Sequence, residues 1–112
     1  AAHPDAVRWL RSCADMGHPD ACAMMAEVLL YGECGAPRDP EQAVRYTRWA
    51  ANLGIAKAMV NLGGYYARGE LGLTSDAQAA VAWWKKAAAL GEADAEANLA
   101  LCHHQGILGL QR

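Results

Sequence analysis

The chain has 112 residues and a formal net charge of −2, with 54% hydrophobic and 20% charged residues. This length predicts one domain, and this composition excludes a disordered chain and a membrane protein. Because no apolar run reaches the ~18 residues that a bilayer span requires, we expect a soluble protein without membrane insertion. Because Lys and Arg form no basic block, nucleic acid is not an expected partner.

Six segments of the chain carry apolar and small residues at helical spacing. The third segment begins with Asp39 and Pro40, which are typical of an N-cap and of the first helical position. Ser75 or Asp76 takes the equivalent place before the fifth segment. The predicted helices lie near residues 4–16, 19–31, 40–53, 56–68, 76–90 and 93–105.

A fixed period of 37 residues runs through the sequence without a gap. Gly17, Gly54 and Gly91 obey it, and each lies where a left-handed residue would end a helix. A period of 20 to 50 residues is typical of stacked supersecondary units. Since each turn is only a residue or two long, the helices on either side must be antiparallel. The sequence therefore predicts an all-α solenoid of helix-turn-helix repeats.

Alanines and large aromatic residues also recur with this period. The alanines allow helix axes to approach at the short end of the ~8–10 Å packing range. Trp9, Tyr46 and Trp83 occupy one equivalent position. We expect these three side chains to fill the wedge between neighbouring helices.

One full period matches the pattern of a known repeat. The matching positions are Ala58, Leu62, Gly63, Tyr66, Gly69, Gly72, Asp76, Ala80, Trp83, Trp84, Ala87, Ala88 and Gly91. In these residues the chain resembles the Sel-1-like repeat family, whose members are helical-hairpin relatives of the tetratricopeptide repeats. The resemblance implies a right-handed α/α superhelix. The loops at 32–39 and 69–76 are one residue longer than the usual family spacing, which leaves their conformation open.

The repeat pattern also suggests how the chain is divided. We expect residues 1–112 to form a single Sel-1-like repeat domain that is a fragment of a longer array. The expected divisions are a partial unit 1–18, a unit 19–55, a unit 56–92 and a partial unit 93–112.

The resemblance implies a non-catalytic adaptor that holds a protein or peptide partner on the concave face of the first helices. An asparagine amide both donates and accepts, so it can bind a peptide backbone. Cationic side chains can pair with an acidic group of the partner, and Gly64 would let a ligand backbone come close. The alternative is that Asn61 and Asn98 only solvate an exposed face. The projected groove residues are Met24, Glu27, Tyr31, Lys57, Asn61, Gly64, Arg68 and Asn98.

Reactive side chains do not converge in the sequence. Neighbours on a helix point about 100° apart, so Cys102, His103 and His104 do not face one ion. Neither Ser12 nor Ser75 is followed by lysine three places on, so the β-lactam-binding activity of some cysteine-rich relatives has no residues to carry it. We expect no catalysis, no cofactor and no metal site, and a metal-binding or hydrolytic protein is the least favoured alternative.

The four cysteines are too few for a disulfide scaffold. Cys13 and Cys22 flank the turn at Gly17, where antiparallel packing would bring their sulfurs together. Some secreted relatives carry a disulfide bond at such a turn. Because this pair is not repeated with the period, free buried thiols are the favoured alternative.

Two further points stay open at this level. Exposed end helices would allow self-association in place of peptide binding. The alanine-rich composition favours a bacterial source, and the cytoplasm and the periplasm are both compatible with it.

Overall fold

The computed structural model describes residues 4–35 and 37–105, and over these residues every regular element is helical. The predicted positions of the six α-helices are confirmed to within one residue at each end. None of these described helices is long and apolar enough to cross a bilayer. The elements are α1 Pro4–Asp15, α2 Pro19–Tyr31, the 3-10 helix η1 Glu33–Gly35, α3 Pro40–Asn52, α4 Ala56–Arg68, α5 Ala77–Ala89 and α6 Ala93–Gln105.

The chain folds into two compact units, Ala1–Ile55 and Ala56–Arg112. In the first unit, α2 packs against both α1 and α3. In the second, α5 packs against both α4 and α6. Each unit therefore has one central helix with a neighbour on either side.

The short turns between helices are closed by the same hydrogen bonds, 37 residues apart. At Gly54 the backbone φ is 100°, a left-handed conformation that glycine adopts without steric cost. The N–H groups of Gly54 and Ile55 donate to carbonyl oxygens three and five residues back, at 3.1 Å each. This is the Schellman arrangement, which satisfies the last carbonyls of a helix. The turns at Gly17 and Gly91 carry the same two bonds, with φ of 88° and 89°.

The longer loops after α2 and α4 also share one closing contact. The N–H of Asp39 donates to the carbonyl of Leu29 at 2.8 Å, and the N–H of Asp76 donates to the carbonyl of Tyr66 at 2.9 Å. Each aspartate then caps the helix that follows, because its Oδ1 accepts from the N–H three residues on, at 3.2 Å for Asp39 and 3.0 Å for Asp76. The conformation of the two longer loops, which the sequence leaves open, is thus set by an aspartate in both units.

The prediction that Trp9, Tyr46 and Trp83 all fill a wedge between helices is correct only for Tyr46, which is buried. Trp9 is 67% exposed, and Trp83 is half-buried with the Lys86 ammonium 4.7 Å from its ring centroid. The buried indole is the neighbouring Trp84. The periodic aromatic position does not dictate burial, because the side chains that surround it differ from one repeat to the next.

Trp84 lies directly on the backbone of α4. Its indole N–H donates to the carbonyl of Val60 at 3.1 Å. A Cβ added at Gly63 would stand only 2.5 Å from the Trp84 Nε1 atom, so any side chain here would force the indole to shift. The equivalent residues of the first unit are Ala26 and Thr47, both buried. A larger residue on one helix is therefore matched by a smaller one on its neighbour.

We predict that Gly63→Ala lowers the free energy of unfolding by about 1–2 kcal/mol, since overpacking costs about 1–3 kcal/mol and the helix-propensity gain of alanine offsets up to about 1 kcal/mol. Gly64→Ala is the matched control, because the atoms nearest to its new methyl would be those of the flexible guanidinium of Arg68. The control should be neutral or more stable by up to about 1 kcal/mol. Urea denaturation measures both variants, and equal stability of the two would contradict the assigned packing.

Candidate functional site

In the first unit, three of the projected groove residues share one exposed face of α2. Met24 is 55% and Tyr31 is 66% exposed, and Glu27 between them is exposed as well. Their spacing of three and four residues places them on one side of the helix. The face combines a flexible thioether, a phenol ring and a carboxylate.

In the second unit, Lys57, Asn61 and Arg68 project from α4 into solvent. Arg68 is not free, since its Nε lies 2.9 Å from Oε1 of Glu70. Its guanidinium also covers Gly64, with Nη2 only 3.1 Å from the place of an added Cβ. A ligand backbone can approach Gly64 only if this guanidinium moves.

The second asparagine, Asn98, is half-buried on α6. Within the described residues neither its amide nor that of Asn61 has a hydrogen-bond partner. The side chains of His103 and His104 lie outside the described part. No group of three potential metal ligands occurs among the residues that the structure does describe.

A polar cluster in the first unit was not predicted from the sequence. The Tyr46 hydroxyl donates to Oδ1 of Asp15 at 2.7 Å. Arg11 Nη1 donates to Oε1 of Gln42 at 2.9 Å and approaches the Tyr46 hydroxyl at 3.5 Å. Gln42 Nε2 in turn donates to Oδ2 of Asp39 at 3.0 Å. Burial, and then the hydrogen bond to Asp15 and its negative charge, raise the pKa of Tyr46, and the nearby Arg11 opposes them.

This cluster forms one side of a pocket of about 210 Å³. The rings of Tyr46 and Trp49 stack in it with centroids 6.3 Å apart and an interplanar angle of 14°. The sequence does contain one sign of this pocket, because two of its residues depart from the 37-residue period. The residues 37 places after Asp15 and Gln42 are Asn52 and Ala79. The pocket is lined by Asp15, Gln42, Arg45, Tyr46 and Trp49.

The candidate disulfide between Cys13 and Cys22 is not formed in the structure, and both residues are free thiols. Cys13 is exposed, whereas Cys22 is buried and donates through Sγ to the carbonyl of Ala14 at 3.3 Å. Burial, with a smaller contribution from the charge of Asp15, raises the pKa of Cys22. Burial likewise raises the pKa of the free thiol of Cys102.

The protein-family model of the Sel1 repeat matches this chain over residues 3–18, 19–55, 56–92 and 93–112. The chain belongs to the Sel1 repeat family. It resembles the Sel1 repeat protein of Oxalobacter formigenes with 30% identity and a TM-score of 0.81, over 90% of this chain and 74% of that one. A protective antigen of uropathogenic Escherichia coli strains with an SLR fold is 34% identical with a TM-score of 0.76, over 92% of this chain and 22% of that one. No curated protein matches the chain.

Family membership confirms the resemblance noted in the sequence and the all-α helical-repeat class of the fold. Sel1 repeat proteins are generally scaffolds for protein–protein interaction, and the repeat is typically non-catalytic. Protein partners are therefore the class that the family indicates. Both similar structures come from bacteria, which is consistent with a bacterial source.

We predict that iodoacetamide labels Cys13 in the native chain and spares Cys22 and Cys102 until the chain unfolds. The last two are buried, and their raised pKa values reduce the fraction of reactive thiolate. Mass spectrometry after labelling of the unfolded chain should give the same number of labels with and without prior reduction. Two labels fewer without reductant would show a bridge and contradict the free thiols.

Proposed function

We propose that this chain is a non-catalytic scaffold that binds a protein or peptide partner through the exposed faces of its first helices, α2, α4 and α6. These faces are the concave-face positions projected from the sequence. The observation that carries the proposal is the presence of unpartnered amides and exposed apolar side chains on them, without convergent reactive groups among the described residues. Side chains that are exposed and unpaired can bind a partner without first losing an internal contact.

The α4 face is suited to an extended peptide. The Asn61 amide can donate to a backbone carbonyl and accept from a backbone N–H at once. Lys57, one helical turn away, adds a cation for an acidic side chain of the partner. The Arg68–Glu70 pair is largely exposed, at 61% and 47%, and such surface pairs contribute only about 0–1 kcal/mol. Arg68 can therefore exchange Glu70 for a partner carboxylate at little cost.

The α2 face supplies apolar contacts instead. Methionine adapts its shape to different partners, and tyrosine is enriched at interfaces because its ring is apolar and its hydroxyl is polar. Met24 and Tyr31 are the exposed large apolar residues of this helix. Three first helices offer a small surface, so we expect micromolar affinity at best, about −8 kcal/mol.

We predict that the double variant Asn61→Ala, Asn98→Ala binds a partner peptide about tenfold more weakly, because each lost amide removes hydrogen bonds of about 0.5–1.5 kcal/mol. Peptides are selected from a displayed random library on the folded chain, synthesised, and titrated by calorimetry. The unfolding midpoint should not change, since neither amide has a partner within the described residues.

Asn52→Ala is the matched control, because Asn52 is an exposed asparagine at the end of α3, outside the first helices. The control should bind like the parent chain. Equal affinity of the double variant and the parent would contradict the proposed binding face.

Self-association is the second candidate function, and one observation favours it. Trp9 and Met16 are 67% and 77% exposed, and their spacing of seven residues places them on one side of α1 and its end. An exposed indole and thioether of this kind are typical of contact surfaces. Light scattering of the same preparation separates the two functions, because only self-association makes the mass rise with concentration.

A further inference from the structure

The pocket between α1 and α3 lies on the second helices of the repeats, away from the binding faces proposed above. Its volume of about 210 Å³ is below the ~300–1,000 Å³ of sites for drug-sized ligands. Any ligand it holds is therefore small. It combines one carboxylate, one guanidinium, one amide and two aromatic rings, from Asp15, Arg45, Gln42, Tyr46 and Trp49.

The two charged groups of this pocket are not paired with one another. Asp15 uses Oδ1 to accept from the Tyr46 hydroxyl, and within the described residues its other oxygen has no partner. Arg45 is exposed and makes no ion pair or hydrogen bond within the described part of the chain. A free carboxylate oxygen and a free guanidinium thus line one pocket without neutralising each other.

The other polar groups around the pocket are already engaged. Arg11 donates to Gln42 and approaches Tyr46, and the Gln42 amide donates to Asp39. Arg11 and Asp39 carry opposite charges, and neither side chain lines the pocket itself. The electrostatic character of the pocket is therefore dipolar, set by Asp15 and Arg45.

One wall of the pocket is aromatic. It consists of the stacked rings of Tyr46 and Trp49. Tyr46 is held in place by its bond to Asp15, and Trp49 rests near Gly17, with Cζ2 at 3.9 Å from the place of an added Cβ. Trp49 remains 36% exposed, which leaves ring surface for a ligand.

We infer that this pocket binds a zwitterionic α-amino acid with an apolar side chain. Its ammonium group binds Asp15, its carboxylate binds Arg45, and its side chain covers the Tyr46–Trp49 wall. A simple cation would face repulsion from Arg45, and a simple anion would face repulsion from Asp15. A molecule with both charges satisfies both groups, and charge-assisted hydrogen bonds are the stronger ones.

The second unit provides an internal comparison. The positions 37 residues after the five lining residues are Asn52, Ala79, Ala82, Trp83 and Lys86. An aromatic residue is kept, but the carboxylate and the guanidinium are both missing from their positions. The site therefore belongs to the first unit and does not come from the repeat pattern.

Titration of the ¹⁵N-labelled chain with phenylalanine tests this inference. The indole N–H signal of Trp49, assigned with Trp49→Phe, should shift and saturate at millimolar concentration. N-acetylphenylalanine lacks the ammonium group, and phenylalaninamide lacks the carboxylate. Each should bind about tenfold more weakly, which corresponds to the loss of one charge-assisted contact.

Two conservative variants test which pocket residue binds each charged group of phenylalanine. Asp15→Asn can still accept from Tyr46 but should no longer distinguish phenylalanine from its N-acetyl derivative. Arg45→Gln removes an exposed side chain without a described partner and should no longer distinguish phenylalanine from its amide. Asp94→Asn and Lys85→Gln, both exposed in the second unit, are controls that should bind like the parent chain.

An unshifted Trp49 signal at saturating phenylalanine would overturn the inference. The inference would also fail if the parent chain bound either derivative as tightly as phenylalanine. It would fail as well if Asp15→Asn and Arg45→Gln still distinguished phenylalanine from the derivatives as the parent chain does.

Discussion

Each short turn between helices in the described part of the chain depends on one glycine whose backbone enters the left-handed region. At Gly54 the two hydrogen bonds of the turn satisfy the last carbonyls of α3. The same bonds recur at Gly17 and Gly91. Inside each unit, the turn at Gly17 joins α1 to α2 and the turn at Gly91 joins α5 to α6. Because these turns are so short, the two helices of each pair must be antiparallel. Which side chains are exposed on each first helix follows from this constraint.

Side-chain size determines how closely neighbouring helices of a unit pack. In the second unit the Trp84 indole lies against Gly63, whereas the equivalent residues of the first unit are Thr47 and Ala26. The sizes of the two facing residues thus change together from one unit to the next, while the turns stay the same. This freedom lets the exposed residues vary between units, and the proposed partner-binding faces and the amino-acid pocket use that variation.

The helices and their ends could be predicted from the sequence because local chemistry determines them. Asp39 and Asp76 cap helices through contacts within three residues, and the turn glycines act through their own backbone. Contacts that depend on the path of a loop or that join different helices were not predictable in this way. The Arg68–Glu70 pair depends on the path of the loop after α4, and the bond from Tyr46 to Asp15 joins residues 31 positions apart. Neither residue pair belongs to the repeated pattern, so periodicity carries no signal for them.

The most direct measurement compares the two mirror-image alanines at Gly54, introduced by chemical synthesis and ligation. No described heavy atom lies within 4 Å of the Cβ position there, so only the handedness of the backbone distinguishes the variants. L-alanine should lower the free energy of unfolding by about 1–2 kcal/mol, and D-alanine should raise it by about 0.4–1 kcal/mol. Equal stability of the two would contradict the left-handed turn on which the account depends.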